Sequence, residues 1–294
     1  MTSQAVREFY WRFYKKRTTS FLANLYKASI TGDEKDIHRT RLDMKKIYAI
    51  HELFELLDPE HFEQESFEVF KTLFRFSGKI RELQVNQLVM LSFQPFSPGI
   101  RLFAKYLKSR ENKLNKQFIT VVQQFDEKKL KRSEKSIKKL CKNIRVKALK
   151  SKSAKFVEKR AKKISLLRNY PSNPENIHGI RKNLKSMVTV LTLVSMVFRD
   201  TKLDVILGHL NQTEMLIGNW HDNQVLVNYI DLFLQKSRKI GREQQLHIQL
   251  MRNKLIENNQ SLLQSLFPKI EEILGVIFPA EKSSVNVEPV FSGN

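Results

Sequence analysis

The chain has 294 residues, with 52 Lys and Arg against 30 Asp and Glu, and the resulting formal net charge of +22 excludes a charge-balanced surface. Hydrophobic residues at 41% and charged residues at 28% lie near globular averages, which excludes both a disordered and a membrane-embedded chain. The single cysteine, Cys141, excludes an intrachain disulfide and a cysteine-built zinc site, and it suits a reducing compartment.

From the N-terminus, Arg7, Arg12 and Lys15 interrupt the apolar residues and spoil the uncharged core of a signal peptide. Val6, Phe9, Phe13, Phe21 and Leu25 recur at helical spacing. A second helix is predicted from about Glu34 to Leu57, stopped by Asp58-Pro59. A third covers roughly Glu60 to Leu91 with Gly78 as a break or kink, and a fourth follows Pro98-Gly99. Charge then concentrates. Residues 101–163 hold 23 Lys and Arg against 5 Asp and Glu, while residues 1–100 hold 15 against 13 and residues 164–294 hold 14 against 12. Lys128, Arg132, Lys135, Lys139 and Lys142 share a helical period with the apolar Ile137, Cys141, Ile144 and Ala148, which predicts a helix with one cationic and one buried face. A charge run is ordinarily a solvated face, but one so poor in acids favours a polyanionic partner.

After the loop Tyr170-Pro171-Ser172-Asn173-Pro174 the helical pattern resumes. Its longest uncharged run, Ser186 to Phe198, has thirteen residues, short of the ~20 that a transmembrane helix needs. A polar tail runs from Glu281 to Asn294. No segment alternates with period two, so the expectation is an all-α chain, soluble and cytoplasmic.

The chain also repeats itself. Ile37-His38-Arg39-Thr40-Arg41-Leu42-Asp43-Met44-Lys45 returns as Ile177-His178-Gly179-Ile180-Arg181-Lys182-Asn183-Leu184-Lys185, offset by 140 residues. The same offset relates Ile47 to Met187, Leu53 to Leu193, Gly78 to Gly218, Glu82 to Asp222 and Val85 to Val225. Two copies follow, at about 1–140 and 141–280, each of four or more helices, and a pseudo-twofold axis is the simplest relation between them. Within each copy, His, Arg and Lys at i, i+3 and i+7 occupy one arc of a helix. With the His in the first turn, free backbone amides and the positive helix end add to an anion site. The alternative is a pair of capping or core histidines with basic side chains snorkelling to solvent. Retention of the same three residues in both copies favours the site.

These residues, followed about forty positions later by Gly78-Arg81-Glu82-Val85 and by Gly218-His221-Asp222-Val225, resemble the CHAD family, the conserved histidine α-helical domain. The resemblance implies two four-helix bundles related by a pseudo-twofold axis, a basic cleft or pore between them, and binding of inorganic polyphosphate without catalysis, cofactor or metal. It carries ligand contact onto His38, Arg41 and Lys45 and onto His178, Arg181 and Lys185. Lys46, Arg81, Lys182 and the basic face Lys128, Arg132, Lys135, Lys139 and Lys142 are further candidates on their charge. Two departures stand out: Ser186 where the first copy has Lys46, and Glu82 where Asp is more usual. Polyphosphate granules are one setting for such a binder.

Two other functions remain in view. Nucleic acid is the competing polyanion, but single-strand binders add aromatic stacking platforms, and residues 128–163 contain only Phe156. His221-Asp222 could belong to a metal-dependent phosphohydrolase with His178 or His209. Against that, the repeat places Arg81 opposite His221, and arginine cannot ligate a metal.

Overall fold

The computed structural model describes residues 1–170, 173–236 and 240–279. Pro171 and Ser172 of the central loop, and the tail Glu281 to Asn294, lie outside the described residues. Among those described there are nine α-helices, a short 3-10 turn at Leu91–Phe93 and no strand. The helices are α1 (Ser3–Thr31), α2 (Glu34–Leu57), α3 (Glu65–Met90), α4 (Pro98–Gln123), α5 (Glu127–Lys142), α6 (Val146–Leu167), α7 (Pro174–Ser195), α8 (Thr201–Lys236) and α9 (Arg242–Ile277).

Local chemistry starts most of them. Thr2, Asp33, Ser97, Asp126 and Asn173 each accept a hydrogen bond from a first-turn amide, and Pro98 and Pro174 stand at first-turn positions that need no N–H. The second helix spans the predicted residues. The third begins at Glu65 and runs through Gly78 without a break. The basic segment is two helices, since Asn143–Arg145 interrupts it; Ile137, Cys141 and Ile144 are buried, while Ala148 lies half-buried in α6.

Packing follows one order twice. α1 packs on α2, α2 on α3 and α3 on α4, and then α6 on α7, α7 on α8 and α8 on α9. Across the molecule α2 meets α7, α3 meets α8 and α4 meets α9, while α5 lies against α1 and α3. α4 and α9 come so close at Gly99 that a Cβ there would stand 2.3 Å from the Gln244 carbonyl oxygen, so only glycine fits.

The apolar side chains form two clusters. The larger joins α1, α2, α5, α6 and α7 with parts of α3, α4, α8 and α9, and the smaller fills the space between the remaining parts of α3, α4, α8 and α9. The Tyr10 hydroxyl crosses the larger cluster to donate to the Leu193 carbonyl at 2.9 Å. Along α3 the clusters part between Ile80 and Leu83, and along α8 between Trp220 and Leu226. Arg81, Glu82, His221 and Asp222 fall in that seam.

Candidate functional site

α2 and α7 each bury one flank, Ile37, Met44 and Ile47 in the first and Ile177, Leu184 and Met187 in the second. A polar anchor beside each flank fixes the helix against its neighbour. Asp43 accepts from Ser20 Oγ (2.6 Å) and Asn24 Nδ2 (2.9 Å) and pairs with Arg17 at 3.5 Å, all on α1. Asn183, 140 residues on, accepts from Arg160 of α6 at 3.1 Å. With those flanks fixed, the arc carrying His, Arg and Lys is turned toward the α2–α7 contact.

The two motifs meet there. Lys45 feels the charges of Arg41, Arg181 and Arg81, and Lys185 those of Lys45, Arg181 and Arg41. Burial and then these like charges push the Lys185 ammonium down to about 8, with Glu214 opposing. Lys45 is lowered by the same causes. Its side chain is nevertheless solvent-exposed, so the cleft is open on one side and water screens part of the repulsion. Arg41 is lowered by burial and by Arg81. Among the described residues, Arg41, Lys45, Arg181 and Lys185 have no carboxylate within ion-pair distance, while Arg81 pairs with Glu34 at 2.9 Å.

Arg41 is held most firmly. Its guanidinium lies 4.4 Å from the Phe74 ring centroid and donates from Nη1 to the Phe74 carbonyl at 2.9 Å. Gly78 leaves the space for it, since a Cβ there would stand 3.1 Å from Nη1. In the second half Glu214 replaces Phe74 at the 140-residue offset.

The histidines sit at the rim of this charge. Burial, Arg81 and Lys45 lower His38, and its Nδ1 is buried without a hydrogen-bond partner. Burial and then Arg181, His178 and Lys185 push His221 down to about 4. The His178 ring meets His221 at 5.4 Å and Trp220 at 5.5 Å, edge to face. Carboxylates are close too. Glu82 accepts from the Tyr229 hydroxyl at 3.1 Å. Burial raises Asp222, with Glu82 and Glu214 adding to the effect and Arg181 and Arg81 opposing it.

One expectation needs correcting. His38 and His178 are each the fifth residue of their helix, one turn beyond its start. The helix ends are capped by Asp33 and Asn173 and carry Glu34, Asp36 and Glu175, so the positive charge comes from side chains along the helix flanks and not from free amides. Lys46 and Lys182 are exposed, one residue around the helix from Lys45 and Arg181, and are not among the charges acting on the cluster. Lys128, Arg132, Lys135, Lys139 and Lys142 are all exposed on α5, and none is among the main charges acting on the cluster. The sequence reading missed Phe74 and Glu214, whose only signal is that both stand four residues before the repeated glycine, and it missed Glu34. Among the described residues no group of three or more His, Cys, Asp or Glu side chains could hold a metal ion, and no helix is long and apolar enough to cross a membrane.

Comparison with known proteins agrees with this architecture. The crystal structure of the CHAD domain from the plant Ricinus communis superposes with a TM-score of 0.72 over 90% of this chain and 91% of that one, at 13% sequence identity. No curated protein sequence matches the chain. The family model of the CHAD domain matches residues 15–231, which span both histidine motifs and both glycine elements. The chain therefore belongs to the CHAD domain family.

Proposed function

We propose that the cleft where α2 meets α7 binds inorganic polyphosphate and does not turn it over. One observation carries this reading: Arg41, Lys45, Arg181 and Lys185, two from each copy of the motif, converge without a carboxylate within ion-pair distance among the described residues. Like charges held together and partly desolvated oppose folding, and an external polyanion is what would neutralise them. Polyphosphate is an unbranched chain of phosphates without bases. Single-stranded nucleic acid would want an open aromatic face, but Arg41 covers Phe74, and Trp220 is buried against His178.

On this reading the repeats 1–140 and 141–280 each supply half of the cleft, and Arg81, His38 and His178 add donors at its rim. Lys46, Lys182 and the exposed cations of α5 steer the ligand from a distance. Cytoplasmic polyphosphate, granules included, is the natural partner, since a reducing compartment suits the buried thiol of Cys141.

The test is competition at fixed near-physiological salt, with labelled polyphosphate displaced by unlabelled polyphosphate, DNA or RNA. Polyphosphate should displace at the lowest concentration. Equal or better displacement by RNA would overturn the assignment. Divalent-dependent release of orthophosphate, abolished by chelator and by His221→Ala, would make the protein a hydrolase.

A further inference from the structure

A second run of cations lies away from the cleft, along α6. This helix carries eight Lys and Arg against one acid, Glu158. Lys152, Lys155, Lys159, Arg160 and Lys163 line a groove of about 480 Å³, floored by Leu56 and Phe156. Among the described residues Lys155, Lys159 and Lys163 have no carboxylate within ion-pair distance. Lys152 donates to the Leu57 carbonyl at 2.8 Å, which ties α6 to the C-terminal end of α2. Lys152 also lines a second groove of about 550 Å³ at the α5–α6 junction, where Arg7, Lys142 and Arg145 stand together with the carboxylate of Asp58.

The groove and the cleft share a scaffold. On α2, Leu56 is eleven residues beyond Lys45, about 16 Å at 1.5 Å per residue. Between them, Glu52 accepts from Ser186, the residue after Lys185. Arg160 is bonded to Asn183, two residues from Arg181. Positions 152, 155, 159 and 163 place a cation at nearly every turn of α6, a linear array suited to a linear polyanion. The one aromatic ring in the groove is not open for stacking, because the Arg160 guanidinium lies 5.0 Å from the Phe156 centroid. The counterpart of α6 in the first half, α1, also lines a groove with Arg12, Lys15 and Lys16, but Arg12 pairs with Glu8 and Lys15 with Glu134, and Thr19 and Ala23 stand where α6 has Lys159 and Lys163, so the unpaired row belongs to α6.

We propose that the α6 groove is a second binding segment for polyphosphate, which takes up the part of a long chain that extends beyond the α2–α7 cleft. This rests on the function proposed above and adds a dependence on chain length: a short chain occupies the cleft alone, and a long one engages both segments.

The experiment compares tripolyphosphate with long-chain polyphosphate on the full chain and on a Lys155→Gln, Lys159→Gln, Lys163→Gln triple variant, at several salt concentrations. The three side chains are exposed, and circular dichroism checks that the variant is folded. Long-chain affinity should drop on the order of tenfold to a hundredfold at physiological salt, with the salt slope reduced by about 2 to 3, since each phosphate contact contributes about 0.7 to 0.9. Tripolyphosphate affinity should not change. Unchanged long-chain binding, or an equal loss for tripolyphosphate, would overturn the groove while leaving the cleft standing. A wild-type chain that binds neither would overturn both. Single-stranded RNA that binds the wild type as tightly as long-chain polyphosphate, and weakens equally in the variant, would reassign the groove to nucleic acid.

Discussion

At the scale of single residues, Lys185 links charge to pH most directly. In the free protein its ammonium is held down to about 8 by burial and by Lys45 and Arg181, against an ordinary value of 10.5. A bound polyanion reverses that pressure, so binding takes up a proton near pH 8 and weakens as the pH rises above it. Calorimetry in buffers of different ionisation enthalpy should detect this uptake, and Lys185→Arg, which stays charged, should reduce it. Without ligand the sign for folding is opposite. Between pH 8 and 10.5 the unfolded chain holds a proton at this position that the folded chain has lost, so its contribution to stability rises with pH across that window. Lys185→Met should then stabilise the free protein by about 0.5–2 kcal/mol while weakening polyphosphate binding, a trade of stability against function; thermal melts and titration of the same sample measure both. Gly78 offers a finer test. An added methyl would press on Arg41 Nη1 at 3.1 Å, although alanine favours the helix by about 1 kcal/mol. Gly78→Ala should leave the melting temperature unchanged or raised and reduce affinity several-fold, and no loss of binding would mean that the position of Arg41 does not matter.

At the scale of elements, the two basic regions should behave differently. Arg41→Ala with Arg181→Ala removes two forks from the cleft, whereas Lys128→Ala with Lys135→Ala removes two exposed charges from α5. The first pair should cost at least tenfold more affinity than the second, which should mainly slow association; stopped-flow rates beside equilibrium titrations would separate the two effects. The end of α2 was legible in the sequence because Asp58-Pro59 stops it; its start agrees with the structure, which shows Asp33 as the cap. The break between α5 and α6 was not, since Asn143-Ile144-Arg145 contains neither Gly nor Pro and the basic period runs on past it. The motif residues themselves were legible through the 140-residue offset. Their mode of support was not: Phe74 and Gly78 act on Arg41 from another helix, and no spacing within one helix reveals a seat built by its neighbour. The opposite flank, where Asp43 and Asn183 anchor α1 and α6, was hidden for the same reason.

At the scale of the whole molecule, the larger apolar cluster draws on helices from both halves, and Tyr10 of α1 bonds to Leu193 of α7. A fragment of residues 1–140 should therefore fail to fold alone, remaining expanded by circular dichroism and scattering, and the full chain should melt in one transition. Polyphosphate at a hundred times its dissociation constant should add about 2.7 kcal/mol to that stability, read as a higher melting temperature that fades as salt is raised. At the α2–α7 cleft Arg41 is seated on Phe74, while the second half has Glu214 at the matching offset and, among the described residues, no ring under Arg181. A polyphosphate chain reads the same from either end. Its host does not: the first copy seats its guanidinium on the Phe74 ring, whereas the second has Glu214, whose charge acts on Lys45 and Lys185 without pairing with either. On the proposed function, the two halves of the cleft therefore present different surroundings to a bound chain, and a ligand without direction acquires one from a place where the repeat is broken.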